Sequence, residues 1–217
     1  MYTGTVTVAG PADVRELPML IISKLAVGPY DNNAYLLRCR ETGASVLIDA
    51  AAEPERLLVL CGETPLDLVV TTHAHADHWQ ALAEIVDATG AQTAAGVNDA
   101  RDIPVPTDVG VSDGDIIEFG RIELTAIELV GHTPGSIALL YNDPQGPPHL
   151  FTGDCLFPGG LGNTKGDAQR FASLLTDVSA KLFDRLPDET WVYPGHGHDT
   201  TLGAERPHLK EWRERGW

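Results

Sequence analysis

The segment Thr72-His73-Ala74-His75-Ala76-Asp77-His78 constrains this chain more than any other. It sets three histidines and an aspartate within six residues, directly after the apolar run Leu66-Asp67-Leu68-Val69-Val70. A strand that ends in such a cluster presents several metal-capable side chains at one edge of a sheet. Imidazole suits zinc, iron and similar metals, and a carboxylate completes a mixed site. The bland alternative is a polar loop rich in histidine. Only eight histidines occur in 217 residues, so three of them here favour the metal reading.

Three further segments share one design, a strand end followed by a turn that carries one metal-capable residue. They are Gly131-His132-Thr133-Pro134-Gly135-Ser136, Thr152-Gly153-Asp154 and Pro194-Gly195-His196-Gly197. Glycine neighbours let the backbone turn tightly and leave room beside a metal. Five histidines and two aspartates suit two divalent ions. One takes His73, His75 and His132; the other takes Asp77, His78 and His196. Asp154 can bridge, since a carboxylate has two oxygens. Zinc heads the compatible metals, with iron and manganese behind it. Taken singly, each of these histidines reads more simply as a surface or core residue, so the case rests on the set of seven.

Length and a hydrophobic fraction of 43% fit one domain spanning residues 1–217. The net charge of −16, from 31 acidic and 15 basic residues, argues against nucleic acid and anionic membranes as partners. Three dispersed cysteines, Cys39, Cys61 and Cys155, imply no disulfide framework. With no signal pattern and no spanning apolar stretch, a cytoplasmic location is expected, as a monomer or small homo-oligomer.

Strands are expected over Leu17–Val27, Ala34–Arg38, Ser45–Ile48, Leu66–Thr71, Ile116–Phe119, Ile122–Val130, Ile137–Tyr141, Leu150–Thr152 and Thr190–Tyr193. Helices are expected over Pro54–Cys61, His78–Thr89 stopped by Gly90, Ala168–Arg185 capped by Asp167, and Ala204–Arg215. Their order predicts a mixed, layered α/β domain.

The four motifs together resemble the metallo-β-lactamase superfamily, over roughly Leu25 to Leu209. The resemblance implies a four-layer αβ/βα sandwich with two metals in a groove at one edge. Within the superfamily the chain looks most like short glyoxalase II-like hydrolases. Thr152-Gly153-Asp154-Cys155-Leu156-Phe157 and the run from Pro194 to Pro207 carry that likeness. Class B1 lactamases place a cysteine ligand where Asp154 stands, which argues against a β-lactam substrate; Cys155 points to the opposite face and reads as core. What the resemblance implies is hydrolysis of a small thioester by a hydroxide bridging two metals, with Asp77 binding one metal and orienting the hydroxide.

Substrate contacts are carried over by position. Full-length glyoxalase II enzymes have a lysine where Asn163 stands, a tyrosine near Lys165 and a tyrosine close to His198. These three are the substrate-binding candidates, and the departures weaken the expectation of glutathione. The sequence also ends at Trp217, short of the helical extension that holds glutathione in those enzymes. The alternatives are a persulfide dioxygenase with one iron held by two histidines and an aspartate, and a lactonase. In the dioxygenases the last motif usually reads Pro-Ala-His, whereas here Gly195 precedes His196, which favours the hydrolase. Trp79 is expected to pack at the start of a helix, and Tyr30 to Asn33 to form a turn that can border the groove.

Overall fold

The computed structural model describes residues 2–216. Strands β1 (Asp13–Glu16), β2 (Leu20–Val27), β3 (Asn32–Cys39) and β4 (Ser45–Ile48) pair antiparallel in succession. Helices α1 (Pro54–Cys61) and α2 (Leu82–Thr89) then carry the chain back across the sheet. Helical crossovers of this kind give parallel joins. Accordingly β5 (Leu66–Thr71), β6 (Gln92–Gly96) and β7 (Val109–Val111) add in parallel, completing a seven-stranded sheet.

The second sheet begins with β8 (Ile116–Phe119), β9 (Ile122–Glu128), β10 (Ile137–Tyr141) and β11 (His149–Gly153), all antiparallel. A small hairpin, β12 (Leu156–Phe157) and β13 (Gly160–Leu161), and helix α3 (Ala168–Asp177) follow. Strand β14 (Trp191–Pro194) then joins β11 in parallel, and β15 (Thr200–Thr201) pairs antiparallel with β14. Helices α4 (Leu202–Glu205) and α5 (Leu209–Arg215) end the fold.

Three apolar cores define four layers. Ile22, Leu37, Ile48, Leu124, Leu139 and Phe151 pack between the sheets. Leu36, Leu47 and Val69 on the outer face of the first sheet meet Leu57 of α1 and Leu82 and Ile85 of α2. Leu140 and Leu150 on the outer face of the second sheet meet Phe171 and Leu174 of α3 and Trp212 of α5. This is the expected αβ/βα sandwich. Among the described residues no helix is long and apolar enough to cross a membrane. All three cysteines are free and buried.

Several boundaries differ from the sequence expectation, each for a local reason. The helix expected from His78 begins at Leu82, because Ala76–His78 form a single 3₁₀ turn and Ala81 N–H donates to Ala50 O instead of within the helix. Strand β2 starts at Leu20, because Pro18 cannot join a ladder and Leu17 N–H closes a turn onto Leu20 O. The helix expected to reach Arg185 widens after Asp177 into a π turn over Val178–Phe183, which keeps Leu182 and Phe183 buried together. The terminal helix is broken at Pro207, where the missing N–H allows only a 3₁₀ turn over Arg206–His208. Strands β6 and β7 were not expected at all. Gln92-Thr93-Ala94-Ala95-Gly96 has weak strand chemistry, and it is burial beside β5 that makes it a strand.

Candidate metal centre

The ends of β5, β11 and β14 and the loop after β9 converge at one edge of the sandwich. Ile137 N–H donates to Thr72 O at 2.9 Å, tying the two sheets together there. Gly195 N–H donates to Gly153 O at 2.8 Å, and Asn33 N–H donates to Gly195 O at 2.7 Å. Three chain segments that leave separate strands are thereby locked into one rim, the place where layered α/β folds gather ligands.

All seven sequence-selected residues meet at this rim. His73 Nε2 lies 3.1 Å from His75 Nδ1 and 3.3 Å from His132 Nε2. Asp154 Oδ2 stands 3.6 Å from His132 Nε2 and 3.9 Å from His73 Nε2. In the second group His78 Nε2 and His196 Nε2 are 3.3 Å apart, and Asp77 Oδ2 is 3.4 Å from His196 Nε2 and 3.7 Å from His78 Nε2. Asp154 faces this group as well, with Oδ1 3.3 Å from His78 Nε2 and Oδ2 3.5 Å from His196 Nε2. A tetrahedral ion with bonds of about 2.0–2.1 Å to nitrogen spaces its ligands by about 3.3–3.4 Å. Both groups match that spacing, and Asp154 lies between them.

The outer hydrogen bonds fix which ring nitrogen faces inward. His132 Nδ1–H donates to Asn163 O at 3.0 Å, and His196 Nδ1–H donates to Tyr30 O at 2.7 Å. His78 Nδ1–H donates to Asp49 Oδ2 at 2.8 Å. Thr72 Oγ1–H donates to Asp49 Oδ2, which leaves Thr72 Oγ1 to accept from His73 Nδ1 at 3.0 Å. Each of these four rings therefore presents the Nε2 lone pair to the centre, the orientation that outer partners impose on metal-binding imidazoles, whereas His75 turns Nδ1 inward toward His73. Asp154 Oδ1 is buried and accepts no hydrogen bond. A buried carboxylate oxygen without a donor is costly unless a cation completes it. The residues present fit a pair of divalent ions.

Electrostatics agree. Burial lowers the pKa values of His73, His75 and His132, the last to about 4, so these rings are neutral near pH 7. Burial also opposes charge on His78, but Asp49 and Asp154 outweigh it and raise the ring to about 10. His196 moves up likewise, burial being overcome by Asp154. Burial works against the charged form of Asp154, yet His196 and His78 hold its carboxyl well below the usual range. The Asp77 carboxyl is also lowered, against its burial, by Asn32 and His78. This is a site whose field calls for positive charge, and a proton and a metal ion compete for the same lone pairs.

Among the supporting residues, Asp49 and Asp99 escaped the sequence reading, and Asn32, expected in a turn bordering the groove, opens β3 instead. Asp49 accepts from Thr72 N–H, Thr72 Oγ1–H and His78. Asp99, fully buried, accepts from Ala74 N–H at 2.9 Å and Gly135 N–H at 2.6 Å, joining the loops of His73 and His132. Asn32 Nδ2–H donates to Asp77 Oδ2 at 3.0 Å. The only available signal for Asp49 was its place after the apolar strand Ser45–Ile48, the same position that Asp154 takes after its own strand. Gly195 is as important as any side chain. A Cβ there would overlap Asp154 Oδ1 and sit 2.8 Å from His78 Cε1.

The matching family model, described as the metallo-beta-lactamase superfamily, covers residues 27–198. The chain belongs to the metallo-beta-lactamase superfamily. A hydroxyacylglutathione hydrolase of Polaromonas sp. is 35% identical over 182 residues, covering 82% of this chain and 67% of that enzyme. The chain spans 62% of the hydroxyacylglutathione hydrolase of Roseobacter denitrificans. Among solved structures, ETHE1 from Myxococcus xanthus is 31% identical with a TM-score of 0.75, over 87% of this chain and 82% of that one. Members of the superfamily to which this chain is similar thus include proteins bearing hydrolase names, and the His/Asp cluster is of the kind that binds divalent metals.

The remaining sequence candidates sit around this centre. His198 and Tyr30 line a cavity that opens beside His196. Asn163 turns its side chain to accept from Lys165 N–H, and its backbone carbonyl supports His132. Lys165 is exposed, and its charge is close enough to help lower His75. Trp79 packs partly against the outer core, and its indole N–H donates to Ala74 O at 3.0 Å, bracing the turn between His73 and His75. Cys155 is buried in the core.

Proposed function

We propose that the protein is a dinuclear metallohydrolase acting on a small thioester. The observation that carries this reading is Asp154, a half-buried carboxylate set between two three-residue ligand groups, whose buried Oδ1 accepts no hydrogen bond. His73, His75 and His132 would hold one ion, Asp77, His78 and His196 the other, and Asp154 would reach both. Such ions supply a Lewis acid for the scissile carbonyl and lower the pKa of bound water. Zinc is the first choice, and iron or manganese fits the same donors.

The chain's own groups do the rest. Asp49, Asn163, Tyr30 and Thr72 keep the Nε2 lone pairs aimed inward. Asp77, its Oδ2 fixed by Asn32, orients the attacking water as well as completing the second ligand group. The oxygen of water adds to the thioester carbon, the C–S bond breaks, and the water's protons end on the thiol and in solvent. The proposed substrate contacts are His198, in the cavity beside His196, and Asn163 and Lys165, in the loop that supports His132. The chain acts as one domain, as a cytoplasmic monomer or small homo-oligomer.

A second reading, a mononuclear iron persulfide dioxygenase, draws on the likeness to ETHE1 from Myxococcus xanthus. Gly195 weighs against it, since the space its missing Cβ leaves is used by Asp154 and His78 of the paired arrangement. Two assays separate the readings. The metal-loaded protein is incubated with the lactoyl thioesters of glutathione and of N-acetylcysteamine, and with glutathione persulfide in an oxygen cell. Thiol release from either ester without oxygen uptake is expected. Oxygen consumption on the persulfide with neither ester cleaved would transfer the protein to the dioxygenase reading.

A further inference from the structure

Beside the second ligand group the groove opens into a cavity of about 470 Å³. That volume lies within the range of small-molecule pockets. Asp154 and His196 form its inner wall, so whatever enters it reaches the metal ligands directly. Its outer wall is Tyr30, Phe157 and Pro158. Tyr30 is 66% exposed, a large aromatic surface that the fold itself does not bury. It is not loosely hung, for its own carbonyl accepts from His196 Nδ1–H. Phe157 belongs to β12 and is held by the hairpin that follows Asp154. The apolar wall is thus built on the hairpin that follows Asp154 and on the β2–β3 turn whose carbonyl supports His196.

The charge of this cavity is as informative as its shape. Its one carboxylate apart from Asp154 is Asp31, and none of its lining residues is a lysine or arginine. Lys165, whose field reaches the centre, acts on His75 in the other ligand group. A glutathione conjugate carries two carboxylates and one ammonium group. Placed here, it would find Asp31 and, apart from the metal centre and His198, no basic side chain in the lining, on a chain whose net charge is already −16.

We propose that this cavity binds an uncharged, apolar arm of a thioester and disfavours anionic thiol carriers such as glutathione. The inference rests on the metallohydrolase reading above and narrows its substrate class. Asp31 is the residue that sets the discrimination by charge, and Phe157 the one that sets it by apolar contact.

The test uses phenylacetyl thioesters of glutathione and of N-acetylcysteamine with the metal-loaded full chain. The neutral ester is expected to show kcat/KM at least about tenfold above the anionic one, the scale of discrimination that pocket contacts provide. Asp31→Asn, which keeps the side chain's shape at a positive φ of 52° that asparagine tolerates, should narrow that ratio about threefold. Phe157→Ala should lower kcat/KM for the neutral ester about tenfold, mainly through KM. Calorimetry with the uncleavable thioethers S-benzyl-N-acetylcysteamine and S-benzylglutathione should give the same order without turnover. A glutathione ester cleaved as well as the neutral one, or a ratio unmoved by Asp31→Asn, would overturn the proposal while leaving the hydrolase intact. Cleavage of neither ester would remove the thioesterase reading and this inference with it.

Discussion

Gly195 shows how a single missing methyl group can decide a site. The space that its Cβ would fill is occupied by Asp154 Oδ1 and the edge of His78. Gly195→Ala should push one of them away and cost the second metal before the first. The expected result is metal content falling from about two to about one per chain, with thioester cleavage down at least about a hundredfold, the scale of a displaced reacting group. Full metal content in the variant would show that the rim yields more easily than its hydrogen bonds imply. His149 carries a prediction of a different kind. It is fully buried, bonded to Tyr193 Oη through Nδ1 at 2.9 Å, and burial together with Arg15 lowers its pKa to about 4. The unfolded chain takes up this proton below about pH 6.5 and the folded one only near 4, so the folded state loses stability as pH falls through that window. Between pH 7 and 5 the loss is about 2 kcal/mol. Urea unfolding of His149→Gln should lack this part of the acid sensitivity. Identical pH slopes for variant and wild type would show that His149 is not held neutral.

At the scale of elements, the strand ends do the positioning, and they are held from behind. Lys24 of β2 is fully buried, and its Nζ donates to Gly4 O, Gly197 O and Asp199 Oδ1 at 2.8, 2.7 and 2.6 Å. Asp199 also accepts from Tyr2 Oη–H and Trp191 Nε1–H. The turn carrying His196 is thereby fastened to β2, beside the edge strand of the first sheet. Lys24→Met would leave Asp199 buried without a cation, which costs about 3–5 kcal/mol in comparable pairs. Thermal or urea unfolding should show that loss, and a chelator titration should strip the metal of the His196 group first. A variant as stable and as tightly loaded as wild type would mean that Asn33, which also donates to Pro194 O and Gly197 O, suffices alone. Lys24 and Asp199 were illegible in the sequence because nothing local marks a lysine inside a strand as buried. The ligand motifs were legible because each sits after an apolar run, the first as a dense His/Asp cluster and the other three with glycine beside the ligand. For the same reason β4, α1, β5, β8 and β10 fell where periodicity put them. Strand β6 did not, because its alanines become a strand only through neighbours distant in sequence. Asp49 and Asp99 act through loops that the sequence does not show to be adjacent.

For the whole molecule, the sandwich solves a problem of charge. Asp49, Asp77, Asp99 and Asp154 are gathered at one edge of a chain with a net charge of −16. Backbone N–H groups, imidazoles and Asn32 satisfy most of their oxygens, and Asp154 Oδ1 is left for a cation. Two divalent ions would neutralise the cluster and tie both sheets together across the rim, so their binding energy would add to that of the fold. The most direct test is elemental analysis of the purified chain beside its Asp154→Ala variant, with circular dichroism to verify that both are folded. The account predicts about two transition-metal ions per wild-type chain and a loss of at least one in the folded variant, with cleavage of the neutral thioester abolished. A folded Asp154→Ala variant that keeps two ions and more than a tenth of wild-type turnover would contradict the central claim that this carboxylate joins the two metals.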